Sequence, residues 1–289
     1  MALKFSKKLL FGYLLLLMLH CVHGNGVVQP TKKMMRSDHS HASPDLVEVD
    51  HTEASSLGLF TISDLHIGKT ITIDFPNPDP SSLPRFLPRS EADKIPFSSK
   101  NLSTILGLFS ISPDSHQARR IQHTLTHCES KPMSQSETRF CATSLESMLD
   151  YVRAVFGPDT PFRPLTTKYY LTKSSDNPKQ RYTITESPRE VVTAGGSDAK
   201  MVGCHASVGY PYAVFYCHGR RGGNRAFRVW LRGENGDRVE ALGVCHVDTS
   251  DWDPNHIVFQ LLGSSPGSPV CHFLSSNALL WVPSSTSSN

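Results

Sequence analysis

Four Cys-His dipeptides, Cys204-His205, Cys217-His218, Cys245-His246 and Cys271-His272, constrain this chain more than any other feature. With seven Cys and 14 His among 289 residues, four such adjacencies do not arise by chance. Neighbouring side chains on a β-strand point to opposite faces, so a Cys and the His beside it do not readily reach the same ion. One set of four can face the core while the other faces a shared site. An oxidising compartment pairs the sulfurs as disulfides and leaves the imidazoles free to converge. A structural zinc site is the alternative, but it needs reduced thiolates and C-x2-4-C or H-x3-5-H spacing, which is absent. A histidine beside a disulfide is usually a hydrogen-bonded framework residue. Four in matching settings raise convergence on one metal as a second reading, with copper or zinc suited to imidazole donors.

The amino terminus points to that oxidising compartment. Lys4, Lys7 and Lys8 precede an apolar run from Leu9 to Leu19, and Val22 and Gly24 sit at −3 and −1 of a cleavage site before Asn25. This order predicts a secretory signal peptide over residues 1–24. A membrane anchor would need about 20 apolar residues, roughly twice this run. Cleavage removes three Lys and no acid, leaving 26 basic against 26 acidic residues. Without a basic surplus, nucleic acid is a poor partner. Cys21 leaves with the signal, and Cys128, Cys141, Cys204, Cys217, Cys245 and Cys271 remain. Six cysteines allow 15 pairings. Asn101-Leu102-Ser103 is the only glycosylation sequon, making Asn101 the candidate acceptor.

Residues 25–57 lack Phe, Tyr and Trp and read as a flexible polar leader. Within it His39 and His41 belong to a solvated tail more readily than to a metal site. Two strands are expected at 59–62 and 70–75, then a proline-rich loop. Helical spacing follows through Leu102, Ile105, Leu106 and Phe109. A second helix, capped by Asp114 or Ser115, carries Ala118, Ile121 and Leu125. A third opens on the capping box Thr143-Ser144-Leu145-Glu146 and stops at Gly157-Pro158. A Cys128–Cys141 disulfide would staple the second helix to the third. Beyond Pro164, strands are expected at 168–172, 182–186, 212–217, 226–231, 239–247, 257–259 and 279–282, with a hairpin turn at 233–237. Helices in the first half and an antiparallel β-rich second half carrying the four Cys-His motifs define an α+β fold.

The dipeptides are also where a family resemblance enters. The chain resembles the plant BURP-domain family, whose signature is CH-x10-CH-x25-27-CH-x25-26-CH. The likeness spans residues 58–283, leaving 284–289 as a tail. It includes the stretches Phe60–Lys69, Phe140–Met148, Tyr210–His218, Cys245–Ser250 and Val270–Phe273. Here the gaps are 11, 26 and 24, so the first is one longer and the last one shorter than the pattern. A one-residue slip flips a strand's side chains unless a loop or bulge absorbs it. The short leader without repeats is most similar to the unknown-seed-protein and microspore-embryo branch.

The resemblance implies two functions. The first is a non-enzymatic secretory-pathway protein of seed development or stress response, ending in storage vacuole or cell wall and meeting a peptide or wall component. The second is a copper-dependent oxidative peptide cyclase that crosslinks Tyr or Trp side chains. His205, His218, His246 and His272 would then hold copper, and no membrane partner is expected after signal cleavage. Because residues 25–57 contain neither Tyr nor Trp, a cyclase would act on a separate peptide. Other motifs carry less. Gly219–Asn224 reads as a hairpin loop before an anion site. Ser144 and Ser147 lack a nucleophile elbow. Asp64 and His66 shape a turn more readily than His66 joins a metal site, and Asp248-Thr249-Ser250 either orients a ligand histidine or begins a turn.

Overall fold

The computed structural model describes residues 58–75, 83–132, 134–170, 179–193, 200–220 and 223–284. The expected signal peptide, the leader, and the tail beyond residue 284 lie outside the described residues. Numbered along the chain, one eight-stranded antiparallel sheet runs β1 (Leu59–Phe60), β12 (Val270–Leu274), β11 (Arg238–His246), β10 (Asn224–Gly233), β6 (Lys179–Ile184) and β2 (Thr70–Asp74). Two short strands join it, β5 (Lys168–Tyr170) on β11 and β7 (Arg189–Glu190) on β10. The second sheet is ordered β3 (Glu137–Ala142), β9 (Phe215–Arg220), β8 (Met201–Ala206), β13 (Ala278–Pro283) and β4 (Phe162–Leu165). The fold is mixed α and β with a β-rich second half.

The two sheets pack through one shared apolar layer. Ala226, Leu242, Val244 and Leu274 of the larger sheet meet Met201, Ala278, Leu280 and Val282 of the smaller one, all buried. Because side chains alternate, each sheet has a second buried face. On the larger sheet Phe60, Phe227, Phe273, Ile73 and Ile184 form that core around Cys245 and Cys271. On the smaller sheet Cys204 and Cys217 lie with Ala142, Val202 and Trp281 under helix α4 (Leu145–Phe156), which contributes Met148 and Val152.

Before α4 stand α1 (Arg89–Ala92), α2 (Leu102–Leu108) and α3 (His116–Glu129). Ser115 caps α3, its hydroxyl accepting the Ala118 N–H at 3.0 Å. The buried stripe Ala118, Ile121 and Leu125 packs on Tyr210, Tyr212 and Val214, within and at the end of the β8–β9 connection. The α4 capping box uses Ser144 and Ser147 in place of Thr143 and Glu146: each serine hydroxyl accepts the other residue's backbone N–H at 3.1 Å. Gly157, at φ +107°, then ends the helix.

Other expectations need correction: the strand expected at 59–62 stops at Phe60, with Ile62–Asp64 in a 3-10 turn, and the one expected at 212–217 starts at Phe215. Cys128 pairs with Cys141, but Cys141 lies on β3, so the bridge ties α3 to a strand instead of to α4. Residues 257–259 begin a short helix, α5 (Ile257–Leu261), which His256 caps by accepting the Val258 N–H. The segment around Gly219–Asn224 is not a hairpin: β9 and β10 belong to different sheets, and residues 221–222 lie outside the described residues. The turn at 233–237 does close the β10–β11 hairpin, with Gly233 N–H donating to the Asp237 carbonyl at 2.8 Å.

Candidate functional site

Two disulfide rungs set the site. Cys204 stands directly opposite Cys217 on β8 and β9, and Cys245 opposite Cys271 on β11 and β12; both pairs are bonded. The sulfurs point into the two outer cores, so each following histidine points to the opposite face. That is the inner face of each sheet, and the inner faces oppose one another. Four imidazoles consequently close a ring across the two sheets. Ring centroids are 5.4 Å apart for His205 and His218, 6.3 Å for His218 and His246, 5.6 Å for His246 and His272, and 6.0 Å for His272 and His205. The unusual gap lengths are taken up outside the strands, because both cysteine pairs keep direct register.

Neighbours orient these rings. Asn224, buried on β10 opposite His246, places Oδ1 2.8 Å from His246 Nδ1. Its amide nitrogen donates to the Arg220 carbonyl at 3.3 Å, which identifies Oδ1 as the acceptor and Nδ1–H as the donor. Glu137, buried on β3, stands 3.3 Å from His218 Nδ1. The Nε2 atoms of His205 and His218 are 3.3 Å apart. Gly203 borders both rings, and a Cβ there would make ordinary contact with the two Nε2 atoms, at 3.4 and 3.5 Å. Burial and the neighbouring imidazoles hold His205 and His246 well below the ordinary histidine range, and burial with His218 pushes His272 down to about 4. These three are neutral bases at pH 7, with lone pairs available.

Such a set suits an imidazole-binding metal in its donors. Neutral rings with one nitrogen engaged by an amide or a carboxylate are what metal-ligating histidines usually show. Two nitrogens bound tetrahedrally at about 2.0–2.1 Å lie roughly 3.3 Å apart, as His205 and His218 do. A recess of about 20 Å³ behind the ring is bordered by His218, His246 and His272, space for one small species. Among the described residues, however, no three His, Cys, Asp or Glu side chains stand at metal-holding positions around one point. Engaging a third ligand requires the rings to turn.

The ring lies along a larger pocket of about 990 Å³. Tyr216 and Trp252 both border the ring. Tyr216 is 5.5 Å from His218 and 4.4 Å from His127, while Trp252 is 5.4 Å from His246. The Arg139 guanidinium lies over Tyr216 at 5.6 Å and that of Arg220 over Trp252 at 5.8 Å. Desolvation, with Glu137 nearby, raises the Tyr216 hydroxyl to about 12, so it is a neutral phenol at pH 7.

Other motif residues stay outside the ring. Asp64 closes a turn, accepting from Thr61 and pairing with Lys69 at 2.6 Å, while His66 Nδ1 meets the Ser63 carbonyl. Asp248 accepts from Ser250, and Thr249 donates to the Ser268 carbonyl, so this motif also builds a turn. Asn101 is exposed at the end of a 3-10 turn. Asn224 and Glu137, which orient the histidines, gave no separate signal in sequence. They reach the ring through cross-strand register alone.

Comparison with known proteins comes down on the same region. The BURP domain family matches residues 58–283. BURP domain protein USPL1 of Arabidopsis thaliana is 42% identical over 77% of this chain and 79% of its own length. BURP domain-containing protein BNM2A of Brassica napus is 39% identical over 77% and 78%. BURP domain protein RD22 of Arabidopsis thaliana is 37% identical over 80% of this chain and 57% of its own length.

Proposed function

The chain belongs to the BURP-domain family, and from that premise we propose that it is a secretory-pathway protein that holds copper at its histidine ring and oxidatively crosslinks Tyr or Trp side chains of a separate peptide. The observation that carries this reading is the closure of four imidazoles, three of them held neutral, along a pocket wide enough for a peptide segment. Copper, when bound, supplies one-electron oxidation of a phenol or an indole. His205, His218, His246 and His272 would hold it, Asn224 and Glu137 would fix the ligating tautomers, and the aromatic and aliphatic wall would exclude water from the substrate side chain. Forming the crosslink removes two electrons and two protons from the peptide, which dioxygen accepts on becoming hydrogen peroxide. The substrate is a separate peptide because residues 25–57 carry no Tyr or Trp.

A second reading keeps the family role in seed development or stress response without catalysis, in vacuole or wall. It draws on the contacts already made within the ring, His205 to His218 and His246 to Asn224, which suit a framework. The similarity to the USPL1 and BNM2A proteins supports the unknown-seed-protein branch under either reading, and exposed Asn101 is the glycan acceptor.

The test is expression of the full chain through a secretory host, copper loading, elemental analysis and electron paramagnetic resonance. Near-stoichiometric copper, lost when His205, His218, His246 and His272 are changed to Ala while secretion and circular dichroism persist, supports the first reading. Assay of Tyr- and Trp-containing peptides, with loss of two mass units as readout, completes it. A folded protein that binds no copper leaves the framework reading.

A further inference from the structure

The side of α3 that borders the pocket carries two cations, Arg119 and Arg120, among histidines that can donate hydrogen bonds, and burial beside Arg139 holds His127 below the ordinary histidine range. His116, Arg119, Arg120, His123 and His127 recur at helical spacing, and all five border the pocket. Lys131 and Arg139 continue the border beyond the helix. The acidic side chain on the border is Glu137, which is buried and engaged with His218. Several of these groups are held in place. The stem of Arg120 lies across Gly209, close enough that a Cβ there would come within 2.5 Å of its Cδ. Arg139 donates to the carbonyls of Lys131 and Ser130 while covering Tyr216. The pocket is also lined by a packed apolar group, Leu59, Trp252, Val258 and Val270.

We infer that the pocket side of α3 seats the carboxylates of an acidic peptide whose aromatic side chain is presented to the histidine ring. The inference rests on the reading of this pocket as the place where a peptide is bound and adds its substrate class. Dimensions support it. From His116 to His127 the stripe rises about 16 Å, the reach of roughly five extended residues. Its far end adjoins the ring through His127, Tyr216 and His218. Carboxylates within about five residues of the aromatic would therefore meet the stripe while the ring site is occupied. The apolar part of the lining favours a peptide, which has apolar side chains to place there, over an acidic polysaccharide.

Binding is measured by fluorescence anisotropy on the chelator-treated full chain. The probes are a labelled Trp peptide flanked by Glu residues, the same peptide with Gln at those positions, and polygalacturonate as competitor. The Glu peptide should bind about tenfold more tightly than the Gln peptide, with the preference lost at about 0.5 M salt. Combining Arg119→Gln with Lys131→Gln should weaken the Glu peptide roughly fivefold to tenfold and leave the Gln peptide unchanged, with circular dichroism confirming the fold. Equal affinity for the two peptides, or a variant that affects both alike, overturns the inference. So does tight binding of polygalacturonate that the Glu peptide cannot displace. Because the protein is metal-free throughout, failure here leaves the copper reading intact. A chain that prefers the Glu peptide yet never loads copper keeps this inference and ends that one.

Discussion

Asn224→Ala isolates the contact that orients His246. The side chain is 3% exposed, and its carbonyl accepts the His246 Nδ1 proton at 2.8 Å. Removing it leaves a buried N–H on the imidazole and frees the Arg220 carbonyl that the amide had satisfied. A buried donor left without its partner costs about 1–3 kcal/mol. In a domain of this size each kcal/mol lowers Tm by roughly 2–4 °C, so a drop of about 2–12 °C is expected by circular dichroism. A double-mutant cycle separates the hydrogen bond from simple loss of packing. Asn224→Leu and His246→Phe should each destabilise, whereas the double variant should recover about 1–2 kcal/mol relative to their sum, because neither polar group is then stranded. Additivity within about 0.5 kcal/mol would refute the claim that this pair is coupled.

Three further outcomes follow from the same packing. In metal-free protein, His205, His246 and His272 are depressed below their ordinary value of 6.5, and His127, His218 and Arg220 are the chargeable groups facing them. The unfolded chain then binds more protons, so the stabilisation is complete above about pH 6.5 and is lost as pH falls toward about 4; a denaturant midpoint that stays flat across this window contradicts it. Changing Cys128 and Cys141 together to Ser opens a loop of sequence separation 13 and should cost about 2–3 kcal/mol in urea unfolding, and no change in midpoint would mean the bridge does not constrain the chain. Gly243→Ala would bring a Cβ within 2.9 Å of Phe60, in the stacked Phe60–Phe273 pair, and should cost about 1–3 kcal/mol. Gly107→Ala, on α2 with nothing within 4 Å, should gain up to about 1 kcal/mol in the same assay, so equal effects would count against the packing argument.

The helices were readable because each combines an apolar period with a stop or cap that physics recognises locally. Ile105 and Leu106, then Ile121 and Leu125, then Met148 and Val152 fall on buried faces as their spacing requires. Strands β3, β4, β7, β8 and β12 carry no distinct strand signal in the sequence. Met201–Ala206 and Val270–Leu274 are buried largely on both faces, so they lack the alternation that marks a half-exposed strand. Ile257-Val258-Phe259 misled in the other direction: a short apolar run has no length to declare its period, and the cap at His256 turns it into a helix. At the site, the dipeptides exposed all four histidines. Asn224 and Glu137 were invisible because they are distant in sequence and become neighbours only when β10 aligns with β11 and β3 with β9.

What a Cys-His dipeptide encodes here is a choice of face. Bonding Cys204 directly to its cross-strand partner Cys217 fixes the register of β8 and β9, and that register commits His205 and His218 to the other side. The same holds for Cys245, Cys271 and the histidines that follow them. Neither ladder alone brings more than two imidazoles together. The four meet because the sulfur faces are both outer faces, one under α4 and one in the Phe60–Phe273 core, which turns both histidine faces toward the layer between the sheets. Loop lengths between the dipeptides are therefore free to vary by a residue, as the gaps of 11 and 24 do, whereas the adjacency of Cys and His is not. One residue inserted between Cys217 and His218 would send that imidazole toward Met148 and Val152 and leave His205 without its neighbour, while one inserted in the β8–β9 connection would leave the ring intact.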